Sequence, residues 1–184
     1  MKEEMRQKFI EIFGNNRVLF DEPMSQHTTF RIGGPADVFV MPENYEQIRE
    51  VLRLCKEEKL PFFVLGNGSN LLVSDSGYRG VIIQMDRNME EICLDGEEIH
   101  ACAGALLSSV AVAARNASLT GFEFAGGIPG TIGGAAVMNA GAYGGEMKDV
   151  IEKVTVLDQD GRSLVLSGEE LEFGYRTSRI MKQG

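Results

Sequence analysis

Two glycine-rich segments contain the residues best suited to bind a ligand through the backbone. The first covers residues 65–75 (LGNGSNLLVSD), where Gly66 and Gly68 alternate with small polar residues, and no Lys or Arg occurs from residue 62 to residue 78. A loop of this kind after a strand can direct N–H and O–H donors at a phosphate, so it would hold a diphosphate with dipoles rather than with charges. The alternative is a tight turn that needs glycine for its geometry alone.

The second segment, residues 124–145 (FAGGIPGTIGGAAVMNAGAYGG), is uncharged and holds eight of the 22 glycines. Its length suits a membrane span of about 20 residues, but glycines at roughly 1 kcal/mol each, Pro129 and a polar Asn139 argue against such a helix. A flexible linker is also disfavoured, because apolar residues that favour burial are interleaved with the glycines: Ile128, Ile132, Val137, Met138 and Tyr143. We expect a buried loop that lets a bound group approach the backbone.

A third candidate is GYRTSR, residues 174–179, where Tyr175, Arg176 and Ser178 crowd together. An arginine in a dry site can stabilise a developing oxyanion with permanently charged, bidentate contacts. The alternative is a surface strand with a solvated arginine. HTTFRIGG, residues 27–34, could add another wall to a site, although such a segment alone is more often the start of a strand.

Other chemistries find little support in the sequence. The glycine segments match neither the P-loop pattern nor the Rossmann pattern, which disfavours a kinase, an ATPase or a Rossmann dehydrogenase. His27 and His100 lie far apart without metal-ligand spacing, so no metal site is expected. The sequence contains no G-x-S-x-G nucleophile elbow, so a Ser-His hydrolase is not expected.

Composition favours a folded, soluble protein: 43% of the 184 residues are hydrophobic and 24% are charged. The net charge of −9 disfavours nucleic acid and anionic lipid as partners, so we expect neither nucleic-acid binding nor membrane insertion. Three cysteines without a CxxC pair fit a reducing cytoplasm. The N-terminus is acidic where a signal peptide is basic, and its apolar spacing predicts an amphipathic helix ending near Gly14.

The elements that would position the first glycine segment form a strand–helix–strand pattern. We predict strands at residues 36–42, 62–66 and 80–85, and a helix from the capping pair Asn44 and Gln47 to about Glu58. One face of this helix is apolar. The pattern predicts a small parallel sheet with loops at the carboxyl ends of its strands.

The second half of the chain is expected to form a separate α+β region. Hairpins are predicted around residues 95–96 and 160–161, a helix at about residues 108–117, and a short helical turn capped by Ser167 and Glu170. We expect two α+β subdomains, residues 1–88 and 89–184.

Four segments, in this order, resemble the UDP-N-acetylenolpyruvoylglucosamine reductases, or UDP-N-acetylmuramate dehydrogenases, of bacterial peptidoglycan synthesis. They are HTTFRIGG (27–34), VLGNGSNLLVSDSGYRGVII (64–83), TGFEFAGGIPGTIGGAAVMNAGAYGGE (120–146) and FGYRTSR (173–179). The resemblance implies a cytoplasmic enzyme of cell wall biogenesis, and hence of cell shape and division.

The resemblance also implies an FAD-binding fold of the p-cresol methylhydroxylase or vanillyl-alcohol oxidase type, with FAD between two α+β subdomains. It implies three groups of cofactor-binding residues: Gly66, Asn67, Gly68, Ser69, Asn70 and Leu71; Pro129, Gly130, Thr131, Ile132 and Gly133; and Asn139, Ala140 and Gly141. In that family NADPH reduces the FAD, and the flavin delivers hydride to the enolpyruvyl group of the UDP-sugar. By resemblance Arg176 would stabilise the resulting enolate, and Tyr175 would contact the substrate.

Members of that family continue well beyond the position of residue 184 and include a third, substrate-binding lobe with a proton-donating serine and a glutamate. The resemblance therefore implies that this chain holds the FAD-binding portion without the third lobe, and that it has little activity alone. Ser178 is not expected to replace the missing serine. Two alternatives remain open, a different flavin oxidoreductase of the same fold and a non-catalytic flavin-binding module.

Overall fold

A computed structural model describes residues 2–85 and 87–183, which divide into two compact units. The first unit is Met1–Met89 with Gln159–Gly161, and the second is Glu90–Asp158 with Arg162–Gly184. Within the described residues, no helix combines the length and the apolar character needed to cross a bilayer.

Among its described residues, the first unit contains two α-helices and four strands. They are α1 (Glu3–Phe13), β1 (Val18–Pro23), β2 (Pro35–Val40), α2 (Tyr45–Glu57), β3 (Phe62–Leu65) and β4 (Tyr78–Gln84). The second unit contains three helices and six strands among its described residues. They are β5 (Ile92–Asp95), β6 (Glu98–Ala101), α3 (Leu107–Asn116), α4 (Ile132–Met138), β7 (Gly141–Ala142), β8 (Gly145–Glu146), β9 (Lys153–Leu157), β10 (Ser163–Ser167) and α5 (Arg179–Gln183).

The sheet of the first unit has the strand order β1-β2-β4-β3. β4 pairs in parallel with both β2 and β3, whereas β1 pairs antiparallel with β2. The predicted parallel unit is therefore confirmed, with β4 inserted between the two strands that α2 connects. β1 was not predicted, because VLFDEP lacks the regular alternation of apolar and polar residues that identifies a half-buried strand.

Helix α2 begins where the sequence predicts. The Asn44 side chain accepts a 2.9 Å hydrogen bond from the backbone N–H of Gln47, and the apolar face of the helix is buried. One side of the sheet packs into a core in which Phe39 and Ile82 lie next to Met24 and Leu65. This packing fixes the end of β3, from which the first glycine segment leaves.

Both predicted hairpins are confirmed, as β5–β6 and β9–β10, and their strands belong to the second unit. The predicted turn after β10 also forms: Ser167 N–H donates to the Glu170 carboxylate at 2.9 Å, and Glu170 N–H donates to the Ser167 hydroxyl at 3.3 Å. The core of this unit includes Leu107, Phe124 and Met147.

The expectation of a buried loop at residues 124–145 is wrong in two respects. Residues 132–138 form helix α4 although two glycines occupy its first turn, because the helix packs against the segment before α3. Tyr143 is 98% exposed at a hairpin turn rather than buried. Tyr143 and Gly144 both have positive φ, at 54° and 90°, as the two central residues of a type I′ hairpin turn must.

Candidate functional site

The first glycine segment leaves β3 and turns sharply at Gly68. Gly68 is buried with φ of 62°, and a Cβ atom built on it would lie 2.0 Å from the carbonyl oxygen of His27. The Thr29 N–H donates to the Gly68 carbonyl at 3.1 Å. Leu71 packs on the core, whereas Asn67 and Asn70 are exposed. The packing of Leu71 therefore holds the loop against the core, while the side chains of Asn67 and Asn70 are exposed.

The segment HTTFRIGG lies against this loop through His27 and Thr29. The His27 ring stacks on Phe39 with a 4.0 Å centroid distance, and its Nε2 lies 2.8 Å from a carboxylate oxygen of Glu22. The buried Thr28 hydroxyl donates to the carbonyl of Ile32 at 3.0 Å. The structure therefore brings two of the sequence-predicted segments of the first unit together.

In the second unit, residues 129–133 run beside the segment that precedes α3. The Ile132 N–H donates to the Ala105 carbonyl at 2.8 Å, and the Gly133 N–H donates to the Ala103 carbonyl at 2.9 Å. A Cβ atom on Gly133 would lie 2.9 Å from the Cβ of Ala103. The chain's own packing therefore explains why position 133 is a glycine.

For two other glycines of the tract, no contact among the described residues would exclude a side chain. Gly127 is exposed, and a Cβ atom on it would meet nothing within 4 Å. Gly134 is also exposed, inside α4, and its nearest contact would be the Thr131 hydroxyl at an ordinary 3.6 Å. Neither residue has the positive φ that favours glycine. An outside group that approaches the backbone closely would explain both.

Asn139 ends α4 in the left-handed conformation, with φ of 44°, and is 1% exposed. Its Nδ2 donates to a carboxylate oxygen of Glu146 at 2.9 Å and to the carbonyl of Gly174 at 3.0 Å. Its Oδ1 accepts from the Lys148 N–H at 2.9 Å. An amide nitrogen has two hydrogens to donate, so both donors of Asn139 bind protein oxygens.

Arg176 lies on a two-residue turn between Gly174 and Thr177, with φ of 54°. Its guanidinium donates to the carbonyl of Gly141 at 2.7 Å and, more weakly, to that of Asn139 at 3.4 Å. Tyr175, 83% exposed, has its ring centroid 5.5 Å from the guanidinium carbon. The sequence-predicted Arg176 and Tyr175 are therefore brought together with residues 139–141.

Ser178 differs from its neighbours because it is fully buried. Its hydroxyl donates to the Val137 carbonyl at 2.7 Å, which occupies the only proton the hydroxyl could give. The geometry supports the expectation that Ser178 is not a proton donor for a substrate.

Glu146 is a part of this cluster that the sequence analysis missed. Hydrogen bonds from the Lys148 ammonium and the Asn139 amide hold the pKa of the Glu146 carboxyl below its ordinary value, and the charge of Arg176 acts in the same direction. The signal in the sequence is the spacing of Glu146 and Asp149, whose side chains cap the backbone between them in a reciprocal pair.

A protein-family model described as an FAD binding domain matches residues 36–167, more than half of the chain. The chain belongs to the FAD binding domain family. This match covers β2 to β10 and so includes both glycine segments.

Curated relatives show which FAD binding proteins this chain resembles. UDP-N-acetylenolpyruvoylglucosamine reductase of Alkaliphilus metalliredigens is 51% identical over 183 residues, which is 100% of this chain and 60% of the relative. The corresponding protein of Clostridioides difficile is 49% identical over 95% of this chain and 58% of its own length. The chain therefore spans about 60% of the length of these relatives, and the resemblance predicted from the four motifs is confirmed.

A solved structure agrees with the fold of the FAD binding domain. UDP-N-acetylenolpyruvylglucosamine reductase from Thermus caldophilus superposes with a TM-score of 0.72 at 37% identity, over 88% of this chain and 55% of that one. The match confirms the predicted α+β fold. The described residues of this FAD binding domain contain no group of three or more His, Cys, Asp or Glu side chains arranged to hold a metal ion.

Proposed function

We propose that this chain is the FAD-binding part of a cytoplasmic UDP-N-acetylenolpyruvoylglucosamine reductase. The observation that carries the proposal is the 51% identity to such a reductase over 183 residues of this chain. The proposed reaction is the NADPH-dependent reduction of the enolpyruvyl group of the UDP-sugar, with FAD as the cofactor that this chain would hold. Residues 1–88 and 89–184 are proposed as two FAD-binding subdomains.

The residues proposed to hold FAD are the three groups at positions 66–71, 129–133 and 139–141. The open space at Gly127 and Gly134 supports a close approach of FAD to this tract, since the fold itself would accept a side chain at both positions. Asn139 would contribute through its backbone, because both side-chain donors bind protein oxygens. FAD, when bound, supplies the hydride chemistry.

Arg176 and Tyr175 are proposed to act on the substrate. The guanidinium is already oriented by the carbonyl of Gly141, and its planar fork suits bidentate contacts with an oxyanion. An arginine held in this way can stabilise a negative charge that develops on a substrate oxygen without first reorganising. Tyr175, highly exposed on the same turn, is free to contact a ligand.

Flavin binding by the purified chain tests the first part of the proposal. Reconstitution with FAD should give a yellow protein with quenched flavin fluorescence. Gly134→Ala should raise the free energy of unfolding by about 0.5–1 kcal/mol, because alanine favours an exposed helical position, and yet weaken FAD binding. Gly127→Ala should leave stability unchanged and also weaken binding.

Matched controls are Gly96→Ala and Gly14→Ala, at turns remote in sequence from the proposed cofactor residues. Both should leave FAD affinity unchanged. If Gly134→Ala and Gly127→Ala bind FAD as tightly as the parent chain, FAD does not approach the backbone at these two glycines. Joining the chain to the remaining part of a relative and assaying the enolpyruvyl UDP-sugar against an alcohol panel, with NADPH, tests the reaction. Turnover of alcohols alone, or no turnover, would favour one of the two alternatives.

A further inference from the structure

A hydrogen-bonded joint connects the Arg176 turn to α4 and to the hairpin β7–β8. Its centre is the buried amide of Asn139, which binds Glu146 on the hairpin and the Gly174 carbonyl at the start of the turn. On the far side of the turn, the Ser178 hydroxyl donates to the Val137 carbonyl in α4. Both ends of the Arg176 turn are therefore tied to the same helix.

The guanidinium itself binds a second part of this joint, the carbonyl pair, by which we mean the backbone carbonyl oxygens of Asn139 and Gly141. The contact with the Gly141 oxygen is the shorter, at 2.7 Å. Gly141 allows this contact: a Cβ atom there would lie 3.3 Å from Nη1 of Arg176 and 2.7 Å from the Gly145 carbonyl oxygen. The position lacks a positive φ, so contact rather than backbone conformation explains the glycine.

The backbone of the turn would not hold this arrangement alone. Arg176 has φ of 54°, a left-handed conformation that costs a non-glycine residue energy and persists only where the surroundings enforce it. Its turn is closed by two backbone hydrogen bonds between Gly174 and Thr177, of 3.0 and 3.3 Å, and the Gly174 carbonyl also accepts from Asn139. The amide of Asn139 therefore binds the same carbonyl that helps to close the Arg176 turn.

We propose that Asn139 is a positioning residue for Arg176, and that its side chain does not bind the cofactor. The proposal rests on the proposed function only for the reaction that Arg176 would serve. Loss of the Asn139 donors would remove the hydrogen bond that holds the Gly174 carbonyl at the start of the turn. The guanidinium of Arg176 would then leave the carbonyl pair and would no longer have a fixed orientation.

Asn139→Asp is the sharpest test, because it keeps the size of the side chain and replaces both donor hydrogens by an acceptor oxygen. That oxygen would face the Glu146 carboxylate and the Gly174 carbonyl, which are both acceptors. The readout is NMR of the full 184-residue chain with ¹⁵N-labelled arginine. In the parent chain the Nη hydrogens of Arg176, assigned with Arg176→Lys, should give separate, slowly rotating signals. In Asn139→Asp these signals should coalesce to those of a free arginine.

A double variant separates positioning from stability. In Asn139→Asp with Glu146→Gln, the new glutamine can donate to the new aspartate, which restores the link between α4 and the hairpin with reversed polarity. The link to the Gly174 carbonyl is not restored. We therefore expect the double variant to regain the stability lost in Asn139→Asp, measured against Glu146→Gln alone, while the Arg176 signals stay coalesced. Asn16→Asp, at an exposed turn, is the matched control and should leave them unchanged.

Unchanged Arg176 signals in a folded Asn139→Asp would overturn the proposal. Recovery of those signals in the double variant would overturn it too, because Asn139 would then act through Glu146 alone. FAD titration of the double variant should match that of Glu146→Gln, whereas a cofactor ligand at Asn139 predicts a loss. Failure of the parent chain to bind FAD would contradict the proposed function, but the arginine signals would still decide the role of Asn139.

Discussion

The carbonyl oxygen of His27 occupies the space where a side chain on Gly68 would begin, 2.0 Å from an ideal Cβ position. The backbone of one sequence motif is thus packed directly against the glycine of another. Gly68 is expected from the sequence to bind a ligand. In the structure, the absence of a side chain at Gly68 allows the loop of residues 65–75 to pack against the segment of residues 27–34.

Gly68→Ala should lower the free energy of unfolding of the first unit by about 2 kcal/mol or more, because it combines backbone strain with a clash against backbone. Gly96→Ala is the matched control in the second unit: its φ of 60° is close to the 62° of Gly68, but a Cβ atom there meets nothing within 4 Å. It should show the strain alone, about 1 kcal/mol. Urea unfolding of both variants measures the difference, and equal losses would show that the His27 contact relaxes freely.

Asn44→Ala should destabilise the first unit by about 1 kcal/mol, since the N–H of Gln47 loses the acceptor that caps α2. Asn44→Ser keeps an acceptor oxygen at this position and should retain most of the stability. Thermal unfolding by circular dichroism compares the two variants. Equal losses for Ala and Ser would mean that the side chain contributes nothing as a cap.

The cap of α2 also shows where sequence reasoning succeeds. Asn44, Gln47 and the two Asp-Gly turns act over a few residues, so their effect can be inferred without knowing the rest of the chain. Helix α4 could not be inferred in this way. Its propensity is poor, and it forms because the Gly133 N–H reaches the Ala103 carbonyl, a contact between segments that the sequence does not show to be neighbours.

The same distinction, between local sequence signals and contacts of distant segments, applies to the candidate site. The motifs identify Arg176 and the glycine segments through resemblance, but they do not reveal that Asn139 uses both amide hydrogens within the protein. The three-dimensional contacts also separate Gly133, which internal packing explains, from Gly134, which it does not. Both residues look alike in the sequence because they are adjacent and share a residue type.

Stability should fall in acid partly through Glu170. Hydrogen bonds from the Ser167 backbone and hydroxyl lower the pKa of the Glu170 carboxyl below its ordinary 4.5. A carboxyl with a lowered pKa in the folded state stabilises the fold above the ordinary pKa, and this contribution is lost as pH falls from 4.5 through the folded value. Glu170→Gln should be less stable than the parent at neutral pH and should lose less on acidification.

Urea unfolding as a function of pH measures this effect. Glu169→Gln removes the neighbouring, exposed acid outside the capping pair and is the matched control. It should keep the acid dependence of the parent chain. A steep acid limb that survives in Glu170→Gln would assign the loss of stability to other carboxyls.

Cys55 and Cys93, two of the three free cysteines, should react in a defined order. Cys55 is 1% exposed, and burial raises the pKa of its thiol to about 11, so iodoacetamide should modify it only after unfolding. Cys93 is exposed, but its hydrogen bond to the Glu91 carboxylate raises the pKa of its thiol. Glu91→Gln should therefore speed modification of Cys93 at about pH 8 and leave Cys55 protected.

Peptide mapping by mass spectrometry with and without denaturant resolves the sites. Modification of Cys55 at the rate of Cys93 in the folded chain would show that the face of α2 opens readily. An unchanged Cys93 rate in Glu91→Gln would remove the carboxylate as the cause of its low reactivity.

The insertion of β4 between β2 and β3 sets an order on the maturation of the nascent chain. β2 and α2 emerge from the ribosome first, but β3 has no strand to pair with until β4, which ends at Gln84, has followed it. During that interval Phe63 and Val64, still 42% and 53% exposed in the finished fold, belong to an unpaired apolar strand. A pause in translation after β3 has left the ribosome but before β4 has done so would prolong the interval in which this strand can pair with another chain, so codon choice at the positions translated in that interval should affect the yield of soluble protein.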